Sequence, residues 1–279
     1  MKRVLLSIGH GYSAQVLARR LVPPGWRVIG TIREASRADA LRAEGVEPLI
    51  WPHETLAPAL AEASHILTSV APGPEGDAVL ARHRAELMAA RPVWVGYLST
   101  TGVYGDHAGG WVDEDTPCAP TTRRGRLRVA AEAEWRALGL PLHIFRLAGI
   151  YGPGRGPFEK LRAGTARRIV KPGQVFSRIH VEDLATVLIA SMERPAPGTV
   201  YNVCDDEPAP PEDVLAHAAR LLGLPVPPAE DWDSAGMTPM ARSFYSESKR
   251  VRNDRIKRDL GVELKYPGYR EGLTADLGP

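Results

Sequence analysis

The stretch that decides the fold is Ile8-Gly9-His10-Gly11-Tyr12-Ser13-Ala14. It follows the apolar run Lys2–Ser7, which reads as a buried strand, and it opens Gln15–Leu21, whose apolar residues recur at helical spacing. A strand, a Gly-x-Gly-x-x-Ala turn and a helix in this order are typical of a dinucleotide-binding unit. The sequence therefore predicts a phosphate site where the first helix begins.

Each small residue of this turn has a separate physical reason. Gly9 permits the tight turn, Gly11 lets the backbone approach a pyrophosphate, and Ala14 lets helix and strand pack closely. We expect His10 to pack within the loop. The residues predicted to hold the cofactor here are Gly9, Gly11, Tyr12, Ser13 and Ala14, with Ser69 at the end of a later strand.

The end of the second predicted strand, Trp26–Gly30, indicates which cofactor binds. An NAD site usually carries an acid there, which holds the ribose 2′-hydroxyl. Here Thr31 takes that place and Arg33 follows, so a 2′-phosphate would meet no carboxylate and could pair with a guanidinium. The alternative is that Arg33 and Arg37 are solvated surface charges. We predict NADP, with NAD as the other candidate.

The composition is that of an ordinary globular protein. The chain has 279 residues, 44% hydrophobic and 24% charged, with a net charge of +2. So small a charge predicts neither a nucleic acid nor a membrane as partner. Cys118 and Cys204 are too few for a disulfide framework or a metal site. A first strand beginning at residue 2 and no membrane-length apolar run predict a cytoplasmic protein. The sequence leaves both a monomer and a homodimer open.

Strands and helical patterns alternate along the chain. This alternation predicts an α/β fold, a Rossmann doubly wound parallel sheet with a small C-terminal substrate lobe. We expect residues 1–155 to form the NAD(P)-binding domain and 156–279 to form mostly the lobe, with 199–203 returning to the sheet. Further strands are predicted at Val46–Trp51 (near an edge because of its proline), Ser64–Val70, Val93–Ser99 and Leu140–Leu147, and helices at Asp77–Ala90, Arg128–Leu138 and Glu212–Leu222.

Three later segments resemble those of extended short-chain dehydrogenases. They are Leu98–Gly105, similar to "S-[ST]-x-x-V-Y-G", Arg146–Arg155, similar to "R-x-x-x-x-Y-G-P-G", and Ser177–Ala185, similar to "I-H-V-D-D-x-A". Lys249–Asn253 and Leu260–Val262 look like the closing helix of that group. The resemblance implies a Rossmann domain that binds NAD(P), a lobe that covers the substrate, and epimerase, dehydratase or reductase chemistry, often on nucleotide sugars.

The catalytic pattern of that family is only partly present. Thr100 stands at the family's Ser/Thr position. In the family's Tyr-x-x-x-Lys pair, Arg124 takes the Tyr place and Arg128 the Lys place, where it could still bond the cofactor ribose. A guanidinium stays protonated and cannot serve as a general acid or base. The glycine motif also departs, with Ile8 where the extended group has Gly. These departures resemble the atypical short-chain dehydrogenases.

Several groups are candidates to replace the missing tyrosine. By the resemblance, Tyr104, Tyr151 and His180 lie near the nicotinamide, although each could instead be structural, and Asp183 could simply cap a helix starting at Leu184. Arg178 could hold an anionic group of a small-molecule substrate. The cluster Arg123, Arg124, Arg126 and Arg128 could be an anion-docking site or a solvated helix face. The two functions left open are an NADP-dependent oxidoreductase or epimerase and a non-catalytic NADP-binding sensor or scaffold.

Overall fold

The centre of the protein is a seven-stranded parallel sheet, seen in a computed structural model that describes residues 3–278 apart from the side chain of Met240. The strands are β1 (Val4–Ile8), β2 (Arg27–Ile32), β3 (Val46–Ile50), β4 (His65–Thr68), β5 (Trp94–Thr100), β6 (Trp111–Val112), β7 (Leu142–Leu147), β8 (Gly149–Tyr151), β9 (Arg168–Val170), β10 (Arg178–His180), β11 (Val200–Val203), β12 (Ala229–Asp231) and β13 (Arg250–Val251).

Helices cover both faces of that sheet and build the lobe. They are α1 (Tyr12–Leu21), α2 (Ala38–Ala43), α3 (Ala57–Glu62), α4 (Ala78–Ala89), α5 (Arg123–Arg136), α6 (Phe158–Arg162), α7 (Val181–Glu193), α8 (Pro211–Leu221), α9 (Pro239–Phe244), α10 (Asp254–Leu260) and α11 (Tyr269–Asp276). Among the described residues, none of these helices is long and apolar enough to cross a membrane.

The sheet has the doubly wound order β3-β2-β1-β4-β5-β7-β11. Its strands read as nearly continuous apolar runs because helices bury both faces. β3 contains Pro48 and lies at the edge, as the sequence predicted. The chain winds outward from β1 to β3 and then returns to place β4 on the other side of β1. The carboxyl ends of β1 and β4 therefore border the crevice in which such sheets bind ligands.

Two cores sandwich the sheet. Alternate residues of one strand enter opposite cores, so Leu5 packs under α1, α7 and α10 while Leu6 packs under α3, α4 and α5. A third core joins α6, α8 and α11 in the C-terminal lobe. Because α7, β11 and α10 all pack with the sheet, more of the second half of the chain belongs to the Rossmann unit than the predicted return of 199–203.

The structure corrects three local predictions. α5 begins at Arg123 rather than Arg128, because the Thr122 hydroxyl caps it by accepting the Gly125 N–H. α7 begins at Val181, so Asp183 lies inside the first turn and does not cap the helix. The predicted helix over Lys249–Asn253 is wrong, since Arg250–Val251 is an extended strand paired with β6. The helix that follows it is α10.

Candidate dinucleotide and substrate site

A cleft of about 930 Å³ lies at the carboxyl ends of the central strands. One wall comes from the turn after β1, the ends of β4, β5 and β7, and the N-terminal turns of α1 and α5. The opposite wall comes from β8, from residues 175–178 and from residues 243–251 of the lobe. The cleft therefore joins the predicted cofactor turn to the lobe that the sequence assigned to the substrate.

The glycine turn after β1 is held by its neighbours. Gly9 has a φ of +82°, and a Cβ there would lie 2.9 Å from the Ser69 Oγ. The Gly9 N–H donates to the Thr31 Oγ1 at 2.7 Å, and the Ser69 hydroxyl donates to the Gly9 carbonyl at 2.5 Å. At Gly11, by contrast, the nearest atom to an added Cβ is 3.9 Å away. Gly11 thus leaves open space at the cleft, as a closely approaching pyrophosphate requires.

The N terminus of α1 fits an anion. Its N-cap is Gly11, which offers no side-chain cap, and no acidic residue occupies the first turn. The N–H groups of Tyr12, Ser13 and Ala14 therefore face the cleft without intrahelical acceptors. The residues present fit the diphosphate of a dinucleotide at this position.

Across the glycine turn stands a cation that sequence reasoning missed. The Tyr12 hydroxyl donates to the Pro153 carbonyl at 3.0 Å, and the guanidinium of Arg155 lies 5.5 Å from the centre of the Tyr12 ring. Burial, assisted by the charge of Asp276, raises the pKa of Tyr12 to about 12. Arg155 lines the cleft and pairs with no carboxylate of the described residues. It is therefore placed to meet a phosphate bound at α1.

Thr31 ends β2 next to the glycine turn. This residue is buried, and its hydroxyl accepts the Gly9 N–H, so it anchors that turn. Its contact with the cofactor stays a prediction. Arg33 and Arg37 are exposed and pair with no carboxylate in residues 3–278. His10 packs inside the loop, as expected, with both ring nitrogens unpartnered. Burial lowers the pKa of His10 to about 4.

Arg128, which occupies the family's Lys place, joins two strand ends. Its Nη1 donates to the Tyr97 hydroxyl at 2.9 Å and to the Leu98 carbonyl at 3.0 Å, with a longer bond to the Val70 carbonyl. The guanidinium also lies over the Tyr97 ring at 5.5 Å. Arg128 lines the cleft. The guanidinium is thus fixed at the cleft wall, between the ends of β4 and β5.

Two of the four predicted catalytic residues line the cleft. Thr100 ends β5, and its Oγ1 accepts the Gly102 N–H at 3.2 Å, which leaves its own proton free to donate. Tyr151 presents its ring to the cleft, but its hydroxyl donates to the Gly268 carbonyl at 3.2 Å and packs on Gly272 of α11. Burial raises the pKa of Tyr151 well above its ordinary value. Of these two residues, only Thr100 offers an available hydroxyl.

The other two candidates lie outside the cleft lining. Tyr104 is fully buried, and its hydroxyl donates to Asn202 at 2.7 Å and accepts from Arg146 at 3.0 Å. His180 is 1% exposed and is the N-cap of α7, with its Nδ1 accepting the Glu182 N–H. Internal hydrogen bonds therefore hold both side chains in the core, and neither lines the cleft. Their catalytic roles stay a prediction.

The rest of the His180 environment explains its burial. Its Nε2 lies 3.1 Å from the Oδ1 of Asp276 in α11, so the imidazole ties the start of α7 to the lobe. Asp183 does not cap α7 and instead accepts the N–H groups of Lys265 and Tyr266 at 2.8 and 2.9 Å. The family-like segment at 177–185 therefore fastens the two parts of the molecule together.

The lobe side of the cleft carries further charge. Arg178 uses its Nη1 to donate to the Phe176 and Ala209 carbonyls at 2.9 and 3.0 Å. Lys249 donates to Glu247 at 2.9 Å, and both side chains are nearly buried in the cleft wall. Sequence reasoning missed this pair because it expected a helix there. Although burial opposes it, hydrogen bonds from Lys249 and Thr121 hold the pKa of Glu247 below its ordinary value.

This sheet order, glycine turn and cleft define an NAD(P)-binding protein of the short-chain dehydrogenase class. The sequence pattern of the NAD dependent epimerase/dehydratase family matches residues 8–204, and the chain belongs to that family. It is 30% identical to protein YeeZ of Escherichia coli strain K12, across 96% of this chain and 97% of YeeZ.

Solved structures of other proteins share the fold. A functionally unknown conserved protein from Silicibacter pomeroyi DSS is 64% identical, with a TM-score of 0.93 across 98% of this chain and 97% of that one. The human epimerase family protein SDR39U1, solved with NADPH, is 19% identical with a TM-score of 0.76, across 99% and 100% of the two chains. At that identity the likeness to SDR39U1 concerns the fold alone.

Proposed function

We propose that this protein binds NADP(H) and exchanges a hydride with a small anionic substrate on the lobe side of the cleft. The observation that carries the proposal is the charge of the cleft lining. Among residues 3–278, five cations and one carboxylate line the cleft, and that carboxylate, Glu247, forms an ion pair with Lys249. These cations are Arg124, Arg128, Arg155, Arg178 and Lys249. An excess of cationic groups over carboxylates in a cleft favours anionic ligands.

The phosphates of the cofactor account for part of that charge. The N terminus of α1 and Arg155 would hold the diphosphate, and Arg128 would bond the ribose. Arg33 and Arg37, exposed beyond β2 where an NAD site has an acid, support binding of a 2′-phosphate. The bound nicotinamide supplies or accepts the hydride.

The side chains of the cleft are suited to position a substrate rather than to transfer a proton to it. Thr100 can donate a hydrogen bond to a substrate oxygen, while Arg124 and Arg128 can bind charge but cannot give up a proton. Because general acid catalysis is typically worth roughly 10²–10⁴-fold, we expect slow turnover of ordinary ketones and alcohols. A negatively charged substrate, which the arginines can bind, therefore fits this cleft best.

A second candidate is a non-catalytic NADP-binding sensor. The observation that favours it is the state of the phenols in the cleft wall. Tyr12 donates to the Pro153 carbonyl and Tyr151 donates to the Gly268 carbonyl, so neither hydroxyl is available as the family's proton donor. A sensor would need the cofactor turn and the lobe but no acid.

Calorimetric titration of NADPH and NADH tests the cofactor assignment. We expect tighter binding of NADPH, and we expect Arg33→Ala to reduce that preference by roughly 10- to 100-fold, as loss of a charge-assisted contact worth about 1.5–3 kcal/mol implies. Arg42→Ala is the matched control, since Arg42 is exposed on α2 and pairs with Asp39. Equal affinities for the two cofactors in the parent would contradict the assignment of NADP.

NADPH oxidation by a panel of carbonyl compounds separates enzyme from sensor. We expect anionic carbonyl compounds to react faster than neutral ones of the same size, and Thr100→Val to slow the reaction without changing the affinity for NADPH. Tight NADPH binding with no oxidation by any member of the panel would favour the sensor.

A further inference from the structure

Three segments distant in sequence meet at the lobe end of the cleft. The Thr121 hydroxyl, just before α5, donates to Glu247 at 2.6 Å, and the guanidinium of Arg124 lies 5.6 Å from the ring of Phe244 at the end of α9. Phe176, just before β10, packs edge-on against Tyr245 at 5.6 Å. These contacts bring Arg124, Lys249 and Arg178 to one chamber, which we call the lobe chamber.

The position of Lys249 in this chamber is fixed by backbone contacts. The Ser248 N–H donates to Asp106 at 2.7 Å, and the Val251 N–H donates to the Ser177 hydroxyl at 3.1 Å. Lys249 and Val251 both line the cleft, whereas the Arg250 side chain donates to the Gly109 carbonyl on the other side of this extended segment. The ammonium is thus held at the chamber wall with little freedom to leave it.

The charge of the lobe chamber is not balanced within the protein. Arg178 and Arg124 form no ion pair with any residue in 3–278, and the one carboxylate of the chamber, Glu247, is already paired with Lys249. Asp205, the acid behind Arg178, is itself buried with its Oδ2 unpartnered, and burial raises its pKa to about 8 although Arg178 opposes this. Arg178 thus has backbone carbonyls as its hydrogen-bond acceptors and no ion-pair partner among the described residues.

The same chamber presents aromatic and aliphatic surface. Phe244 is 54% exposed, an unusual position for a phenyl ring, and one of its faces is turned to the guanidinium of Arg124. Phe176, Val175 and Val251 also line the cleft. Phenyl rings next to a flat guanidinium favour a flat partner that can stack, and they offer few hydrogen bonds to the many hydroxyls of a sugar.

We propose that the lobe chamber binds the carboxylate of an aromatic or conjugated acid. Arg178 holds the carboxylate together with Lys249, whose ammonium has three N–H donors and gives one of them to Glu247. The planar body packs against Phe176 and Phe244 next to Arg124. This inference rests on the proposed function, since it names the substrate class for the same site. It separates this cleft from one built for nucleotide sugars.

The test is calorimetry with cinnamate, cinnamyl alcohol and acetate on the full-length protein, with and without saturating NADP⁺. Cinnamate combines the ring and the carboxylate, and each of the other two probes lacks one of them. We expect cinnamate to bind at least about tenfold more tightly than either, because a charge-assisted contact and the buried ring each contribute. Cinnamyl alcohol binding as tightly as cinnamate would overturn the carboxylate site.

Variants assign the contacts. We expect Lys249→Met to weaken cinnamate binding by roughly 10- to 100-fold and Phe244→Ala to weaken it by roughly tenfold. Lys160→Met is the control and should leave it unchanged, because the Lys160 side chain is exposed on α6. Because Phe244 is largely exposed, its variant tests the chamber even if Lys249→Met fails to fold. Unchanged cinnamate affinity in Phe244→Ala would overturn the stacking surface.

The two proposals fail in distinguishable ways. NADP⁺ binding without cinnamate binding would overturn the carboxylate site and leave the proposed cofactor role standing. Cinnamate binding without NADP⁺ binding would overturn the proposed function and leave the lobe chamber as an anion site. Binding of UDP-glucose in competition with cinnamate, and more tightly than cinnamate, would return the chamber to the nucleotide sugars.

Discussion

The two glycines of the turn after β1 should respond in opposite ways to the same substitution. Gly9 has a φ of +82°, and a Cβ there would meet the Ser69 Oγ at 2.9 Å and the Val70 Cγ2 at 3.1 Å. A left-handed conformation costs an alanine about 1–2 kcal/mol, and overpacking typically adds about 1–3 kcal/mol. We therefore expect Gly9→Ala to lower the free energy of unfolding by about 2–5 kcal/mol.

Gly11→Ala should instead leave the free protein stable and block the cofactor. The φ of Gly11 is −104°, and an added Cβ finds its nearest neighbour at 3.9 Å. The free energy of unfolding should thus change by less than about 0.5 kcal/mol. The methyl group would occupy the space that the pyrophosphate needs, so we expect NADPH affinity to fall by at least about 100-fold, or about 2.7 kcal/mol.

Urea denaturation and NADPH calorimetry on the two variants measure both quantities. Gly139→Ala is the control for backbone strain alone, because Gly139 has a φ of +66° with no atom within 4 Å of an added Cβ. It should lose only about 1–2 kcal/mol of stability and bind NADPH normally. Parent-like NADPH affinity in Gly11→Ala, or equal stability losses in Gly9→Ala and Gly139→Ala, would refute this account of the turn.

Three further variants test the core and the loop. Burial lowers the pKa of His10 from 6.5 to about 4, so the folded protein binds fewer protons than the unfolded chain and stability is lost as pH falls from 6.5 toward 4. Relative to His10→Gln, urea denaturation of the parent should show a loss of about 3 kcal/mol across this range, at 1.36 kcal/mol per pKa unit. A pH-independent difference between the two proteins would contradict this expectation. Glu132→Ala leaves the buried guanidinium of Arg146, whose Nη2 lies 2.9 Å from Glu132, without its carboxylate and should lower the free energy of unfolding by about 3–5 kcal/mol. Glu134→Ala, at an exposed position on the same helix, is the control and should lower it by about 1 kcal/mol or less. Tyr104→Phe should cost about 1–3 kcal/mol of stability with NADPH affinity unchanged, whereas a selective loss of affinity would place the phenol in the site.

The features that the sequence predicts well are local. The glycine turn needs only neighbouring residues, and Pro48 alone marks β3 as an edge strand because proline cannot donate to a sheet ladder. Asp77 likewise sits just before α4, where its Oδ1 accepts the N–H groups of Val79 and Leu80. The fold class follows from the alternation of such elements, whereas the strand order is seen only in the structure.

The features that escape prediction depend on long-range contacts. Thr31 stands where the sequence predicts a cofactor ligand, and its hydroxyl accepts the N–H of Gly9, which is 22 residues away in sequence. His180 looked like a catalytic group, but α11 brings Asp276 to its Nε2 from 96 residues away. Lys249 and Glu247 gave no signal of their own, since they enter the cleft only because the chain after α9 folds back against Thr121. Side-chain direction decided each case, and no local pattern encodes it.

The replacement of the family's Tyr and Lys by Arg124 and Arg128 fits the rest of the cleft on one reading. Arg128 is tied to the ends of β4 and β5 by three oxygen acceptors, so it keeps a positive charge at the family's Lys place while giving no proton. Arg124, predicted to stand at the family's Tyr place, presents a flat cationic surface that faces Phe244. Both changes exchange proton transfer for charge binding. A substrate with a carboxylate would use both arginines when it enters the lobe chamber, with Thr100 as its hydrogen-bond donor at the end of β5. A neutral sugar would use neither positive charge.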